Sequence, residues 1–270
     1  AGQGFDLTLR QLYYQFVARD LMPNKQKEYK RLGKVVSNAR LAGLISWTAI
    51  EDRTRSLRST AHWSSPADII RASANQYAQD RWVDQDNRVE VWIEKDALVG
   101  VIEKVCTDLD VPYFACRGYS SQSEQWRAGR RFKAAIAAGR EPIVFHLGDH
   151  DPSGMDMTRD NRDRLGMFAE GYVRVKRLAL SFNQVEEYDP PPNPTKLTDS
   201  RAGEYVARYG HSSWELDALE PSVIRDLISD AVVDVRDHSL WVESVREEEE
   251  GKARLRKVVE TMRDEDDEAK

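Results

Sequence analysis

Three short apolar runs constrain this fold more than anything else in the chain. Residues 89–93 (VEVWI), 112–116 (PYFAC) and 142–147 (PIVFHL) are strand-length, and the last shows almost no polar alternation. Between them lie segments of helical length, 97–109 and 122–138, and residues 172–180 supply a further strand. Strands that alternate with helices of this length predict βαβ units and a parallel sheet. A parallel sheet delivers the loops after its strands to one edge, where ligands of α/β proteins gather.

The region before the sheet has a different pattern. Residues 7–20 place Leu9, Leu12, Tyr13, Phe16 and Val17 at helical spacing, with Thr8 as a cap and Met22-Pro23-Asn24 as the stop. Residues 26–44 form a second amphipathic helix, broken by Gly43. Its outer side carries Lys25, Lys27, Lys30, Arg31, Lys34 and Arg40. Leu44 to Trp47 with Ile50 reads as a short strand, followed by Arg53, Arg55 and Arg58. Helix, turn, basic helix and short strand outline a winged helix-turn-helix. A further helix is expected at 66–80. The expected domains are a winged-helix unit at 1–82, an α/β unit at 87–240 and an acidic tail at 241–270, helical or disordered.

Charge distribution supports that division. The chain of 270 residues has a net charge of −6, but residues 1–80 hold twelve Lys/Arg against seven Asp/Glu. The acidic excess lies elsewhere, notably at residues 247–250 and 264–268. A basic N-terminal third is the natural place for phosphate contacts. No stretch approaches the roughly 18 to 20 apolar residues of a membrane span. No basic region followed by an apolar core marks a signal peptide, so a cytoplasmic, nucleoid-associated protein is expected. Cys106 and Cys116 have no metal spacing and read as reduced core residues.

Chemistry concentrates after two of the strands. Glu94 follows the first, and Asp149 and Asp151 follow the third within Gly148-Asp149-His150-Asp151-Pro152-Ser153-Gly154. Alternate residues of an extended segment point the same way, so one edge receives three carboxylates. Hard oxygen ligands of this kind suit Mg²⁺, which takes one or two carboxylates and completes its shell with water and phosphate oxygens. Gly148 lets the backbone turn, and Pro152-Ser153-Gly154 closes the loop. His146 alternates into the strand and reads as structural, whereas His150, Lys95 and Asp156 are neighbours of the acids. Arg117 follows the second strand and reaches the same edge.

The Ile93-Glu94-Lys95 and D-x-D-P-x-G segments resemble the Toprim domain, shared by topoisomerases, primases and some nucleases. The likeness is nearest to the type IIB topoisomerase (topoisomerase VI) A subunit and its meiotic relative, Spo11. That resemblance implies a Rossmann-like parallel sheet behind a winged-helix domain, with Mg²⁺ (Mn²⁺ as a substitute) held by Glu94, Asp149 and Asp151. It also implies a catalytic tyrosine in a motif of Arg, two residues and two aromatics. Arg10-Gln11-Leu12-Tyr13-Tyr14 matches it. By that resemblance Tyr14 attacks phosphorus to leave a 5′-phosphotyrosyl link, and Arg10 contacts phosphate. With a reference pKa near 10, the phenol needs help from a cation. Tyr13 shares the apolar face, and Tyr14, about 100° round the helix, is free to be exposed.

In the family the tyrosine of one protomer meets the metal of the other, which implies a homodimer on double-stranded DNA. Lys30, Arg31, Lys34, Arg40, Arg53, Arg55 and Arg117 are the candidate DNA contacts. No glycine-rich ATP signature is present, so strand passage would need a separate ATPase subunit of the B type. Two other readings stay open: a hydrolytic Toprim nuclease of a defence or plasmid-restriction type, in which Tyr14 only packs, and a non-catalytic DNA-binding protein.

Overall fold

In the computed structural model of the chain, residues 8–50 and 60–268 are described. They divide into two compact units, one within Ala1–Thr54 and Asn87–Val235, the other within Arg55–Asp86 and Arg236–Lys270. The grouping departs from simple chain order: residues 60–86 belong with the C-terminal segment rather than with the first two helices. Arg53, Arg55 and Arg58 lie outside the described residues.

The first unit is built on a four-stranded, all-parallel sheet of order β2-β1-β3-β4, made of β1 (Asn87–Ile93), β2 (Tyr113–Ala115), β3 (Glu141–Leu147) and β4 (Arg174–Ala179). Val91, Ile93, Ile143, Val144 and Leu147 have no exposure to speak of, which explains the lack of alternation in these runs. Parallel strands need crossovers, supplied by α4 (Val99–Asp108), α5 (Gln122–Ala137) and α6 (Pro152–Ala169). Trp92, Phe132, Val144, Leu165 and Ala169 form one packed cluster, with Cys116 among its members. Both cysteines are free and buried.

α6 is missing from the sequence reading, which took Pro152-Ser153-Gly154 as the end of a loop. Those residues instead begin an 18-residue helix, capped by Asp151 with Pro152 in the first turn. After β4 come α7 (Phe182–Tyr188), the small ladder of β5 (Asn193–Pro194) and β6 (Ser212–Ser213), α8 (Ala202–Tyr209) and α9 (Pro221–Asp234). The region from Trp214 on holds two helices, α9 and a longer one that follows it. It opens with a 3₁₀ turn at Leu216–Ala218.

The two N-terminal helices occur where expected, as α1 (Leu9–Ala18) and α2 (Gln26–Leu41). Thr8 caps α1 in a reciprocal box with Gln11. Where a short strand was expected at 44–50, a 3₁₀ turn occupies Trp47–Ala49. Tyr13, Tyr14, Val17, Leu32, Val36, Ile50 and Ala218 form a second apolar cluster. Ala218 belongs to the turn after Trp214, so α1 is packed against a segment two hundred residues away.

In the second unit, α3 (Pro66–Gln76) packs on α10 (His238–Glu268), a 31-residue helix that occupies the acidic tail. Glu248 is buried and held by Arg81 at 2.9 Å and Lys252 at 2.6 Å. The edge of the Trp82 ring meets Trp241, with centroids 6.2 Å apart. No helix among the described residues is long and apolar enough to cross a membrane.

Candidate functional site

Register places the expected residues at one sheet edge. Ile93 pairs with both Leu147 and Ala115, so Glu94, Asp149 and Arg117 all leave the sheet at its carboxyl end. The Asp149 amide donates to Glu94 Oε2 at 2.9 Å. Two glycines allow the tight path. A Cβ on Gly148 would stand 2.9 Å from Glu94 Oε2, and one on Gly154 would stand 2.3 Å from the Asp149 carbonyl oxygen. Asp151 accepts from the Gly154 amide at 2.6 Å and from the Ser153 hydroxyl at 3.0 Å. It is therefore both a loop acid and the α6 cap.

The strongest feature of the site is a buried ion-pair cluster that Lys95 centres. Its ammonium lies 2.9 Å from Asp149 Oδ1, 2.9 Å from Glu215 Oε2 and 2.8 Å from Asp217 Oδ1. Arg10 approaches the same two distant acids from α1, with Nη2 2.8 Å from Glu215 Oε2 and Nε 3.0 Å from Asp217 Oδ2. The Leu216 amide adds a bond to Asp149 Oδ1 at 2.8 Å. Trp214 and His150 exchange backbone bonds of 2.8 and 2.9 Å. The segment from Trp214 to Leu219 thus connects the acidic loop to the tyrosine helix. Glu215 and Asp217 were absent from the sequence-based site. A charged pair alternating beside Trp214 was visible, but nothing local linked it to residues so far away.

Arg177 was also missed. From β4 its guanidinium donates to the carbonyls of Gly148, Asp149, Gly154 and Leu180 and to the Thr158 hydroxyl, over 2.5 to 3.1 Å. It holds the D-x-D loop from behind. Burial pulls its pKa down to about 10 although Glu94, Asp149 and Asp151 oppose that.

Electrostatics follow from the same geometry. Burial raises the Asp149 carboxyl to about 7, against the opposing effect of Lys95. Burial also raises Glu94, helped by repulsion from Asp151 and opposed by the Asp149 amide and Lys95. Glu215 stays at about 2 because Lys95, Tyr14 and Arg10 outweigh its desolvation. Lys95, Arg10 and Arg177 are the cations of the described residues that act on Glu94, Asp149, Asp151, Glu215 and Asp217.

Among the described residues, no group of three or more His, Cys, Asp or Glu side chains is arranged to hold a metal ion. The expected triad of Glu94, Asp149 and Asp151 is therefore not gathered as a metal site. Its donors are carboxylate oxygens, the type that Mg²⁺ takes. The bonds made by Glu94, Asp149 and Asp151 use Oε2, Oδ1 and Oδ1, which leaves one oxygen of each without a described partner. Mg²⁺ needs only one or two protein carboxylates.

Tyr14 is 5% exposed, against the expectation of an outward tyrosine. Its hydroxyl accepts from Arg10 Nη2 at 3.5 Å. Burial, Asp217 and Glu215 raise its pKa well above the ordinary phenol value, and Arg10 only partly opposes them. Tyr13 instead bonds the turn at Pro23 to Lys25, accepting from the Lys25 amide at 2.8 Å. Position explains the burial: the turn at Leu216–Ala218 covers the face that helical periodicity leaves open.

The remaining candidates are dispersed. Lys30, Arg31 and Lys34 are exposed on α2. Arg40 turns inward to the Trp47 and Ile50 carbonyls and stacks on Trp47. Arg117 is exposed but pairs with Asp96 at 3.1 Å. His146 bonds Thr158, and burial lowers its pKa to about 3. His150 is enclosed by Phe182, Tyr205, Tyr209 and Trp214 and lowered to about 4, again by burial first. Both imidazoles are neutral and structural. Asp156 bonds Tyr119, Arg159 and Arg201 instead of the acidic loop.

No protein-family model, curated protein or solved structure matches the chain.

Proposed function

We propose that this chain cuts double-stranded DNA by transesterification through Tyr14. The observation that carries the reading is one series of contacts. It runs from the Tyr14 hydroxyl to Arg10 Nη2 (3.5 Å), to Glu215 Oε2 (2.8 Å), to Lys95 Nζ (2.9 Å) and to Asp149 Oδ1 (2.9 Å). A candidate nucleophile, two cations and the strand-end acids thus share one network.

In the proposed step, the Tyr14 oxygen forms a bond to phosphorus while the bond from phosphorus to the 3′ oxygen breaks. The phenol proton leaves to solvent, and the departing 3′ oxygen takes up a proton from solvent. The product is a 5′-phosphotyrosyl link and a free 3′ hydroxyl, so religation is the same step reversed. Arg10 and Lys95 are the cations placed to offset charge that develops on the phosphoryl oxygens. Glu94, Asp149 and Asp151 would hold a Mg²⁺ ion, which would supply Lewis-acid charge to the phosphoryl group. Exposed Lys30, Arg31 and Lys34 serve the DNA backbone. Breaking both strands needs two copies of the chain, and strand passage needs a separate ATPase subunit.

A second reading, hydrolysis by a Toprim nuclease, draws support from the burial of Tyr14 and its raised pKa. Supercoiled plasmid incubated with Mg²⁺ or Mn²⁺ and analysed before and after protease separates the two. Transesterification predicts protein-linked ends that Tyr14→Phe and Asp149→Ala both abolish. Normal cutting by Tyr14→Phe, with Asp149→Ala dead, establishes hydrolysis. Absence of cutting by the wild type rejects both.

A further inference from the structure

We infer that the cleft between α6 and α8 binds a backbone phosphate of DNA, beside the strand-end acids and separate from them. The inference rests on the proposed function only for the identity of the ligand.

Two helices build the cleft from the same spacing. α6 contributes Pro152, Met155, Asp156 and Arg159. Across from them stand Arg201, Glu204, Tyr205 and Arg208, from the start and body of α8. Each set falls at positions i, i+3, i+4 and i+7, the spacing of one helix face. The cleft has a volume of about 250 Å³, ample for a phosphate group.

Location ties the cleft to the acidic edge. Pro152 follows Asp151 directly, and α6 starts at the carboxyl end of β3. The Tyr205 hydroxyl donates to the His150 carbonyl at 2.8 Å and lies 2.7 Å from His150 Nδ1. His150 stands between Asp149 and Asp151 in the chain. A DNA strand with one phosphate at the acids therefore has its next phosphates beside this cleft. That continuity favours a backbone phosphate over a free one of the same chemistry.

The lining selects an anion. Asp156 holds two of the three guanidinium groups, Arg159 Nε at 2.7 Å and Arg201 Nε at 2.8 Å. Nη1 of each is also taken, by Asp163 at 2.7 Å and by Asp199 at 3.2 Å. The described bonds leave Nη2 of both for a ligand. Tyr119 braces the group: its hydroxyl donates to Asp156 Oδ2 at 2.6 Å, and its ring lies 5.3 Å from the Arg201 guanidinium carbon. Arg208 differs. It is exposed and stacks on the Tyr209 ring at 5.2 Å, and no carboxylate among the described residues pairs with it. A phosphate accepts from several arginine N–H groups at once, so one uncommitted guanidinium beside two fixed ones suits it. Donors already held in place lower the ordering cost of binding.

The test is duplex binding in EDTA, followed by fluorescence anisotropy over a range of salt, for wild type, Arg208→Ala, Arg208→Lys and Arg174→Ala. Arg174 starts β4, at the opposite edge of the sheet, and its replacement removes the same charge. Arg208→Ala should weaken binding about tenfold and lower the slope of log affinity against log salt by about one. Arg208→Lys should keep the slope, and Arg174→Ala should match wild type. Full affinity and slope in Arg208→Ala overturn the inference, even where inorganic phosphate protects wild type and not the variant against heat, because the ligand is then a free anion. Equal losses in Arg208→Ala and Arg174→Ala overturn it as well, since net charge alone is then responsible. A wild type that binds no duplex overturns it outright. No metal is present, so binding is read apart from any chemistry at Tyr14. Protein-linked plasmid ends together with full duplex binding by Arg208→Ala leave the transesterase reading standing without the cleft. A binding loss in Arg208→Ala with no linked ends from wild type leaves the cleft standing without that reading.

Discussion

Replacing Lys95 by methionine tests the central ion cluster with almost no change in side-chain volume. The side chain is 18% exposed, and its ammonium touches three carboxylates. Burial disfavours its charge, but Asp149, Asp217 and Glu215 more than compensate and raise its pKa. In the variant, Arg10 still serves Glu215 and Asp217, whereas Asp149 keeps only the Leu216 amide and the more distant Arg177. Breaking a buried pair on one side costs about 3–5 kcal/mol. For a unit of this size, each kcal/mol moves the midpoint by about 2–4 °C, so Tm should fall by about 6–20 °C. The deficit should be larger at pH 8 than at pH 6, because the stranded acids can take up protons at the lower pH. Added Mg²⁺ should raise Tm more in Lys95→Met than in wild type, since the cation replaces lost charge and binds only the folded chain. Thermal unfolding at both pH values, with and without 10 mM Mg²⁺, measures all three effects. A fall below about 2 °C at pH 8, insensitive to pH and Mg²⁺, would refute the reasoning: the cluster would then not depend on its central cation.

Four further outcomes follow from other parts of the structure. Arg177→Met removes five donors from buried acceptors and should cost more than about 4 kcal/mol, read from urea unfolding; a loss below about 1 kcal/mol contradicts the scaffold role. Gly154→Ala forces a Cβ to 2.3 Å from the Asp149 carbonyl oxygen and should cost about 1–3 kcal/mol, whereas a neutral effect means that the loop has room to move. Asp149, raised to about 7, must lose its proton to bind Mg²⁺, so apparent affinity should rise about tenfold per pH unit towards pH 7 and then level; calorimetry that finds no slope excludes Asp149 as a ligand. Glu248 is held at about 2, first by Arg81 and against burial. Its depressed pKa makes its contribution complete above about pH 4.5 and progressively lost as pH falls towards 2, worth about 1–3 kcal/mol to the second unit; Glu248→Gln should erase that slope in acid unfolding.

The sheet was legible because buried parallel strands leave an unbroken apolar signature, and the strand ends located Glu94, Asp149 and Asp151 without further information. α6 was hidden by its own start. Asp151-Pro152-Ser153-Gly154 satisfies the chemistry of a turn and of a helix cap equally well, and the following residues carry many charges over a weak apolar stripe. Only the covering of Met157, Leu165 and Ala169 decides for helix.

The same limit explains Tyr14 and its distant partners. Periodicity on α1 predicts which side chains share a face, but it cannot say what arrives on the face that α2 leaves uncovered. That is decided by Ala218, Glu215 and Asp217, whose pairing with α1 spans about two hundred residues. Arg177 is a related case: on β4 it sits between Lys176 and Leu178 and reads as one more surface cation, yet five acceptors from three separate segments converge on it. A carboxylate at a strand end advertises itself through its neighbours in sequence. A cation that satisfies such carboxylates can come from anywhere in the chain, because Coulombic pairing in a buried site depends on distance in space alone. The acids of this site are therefore the part written locally, and the residues that give them their charge balance are the part written by the fold.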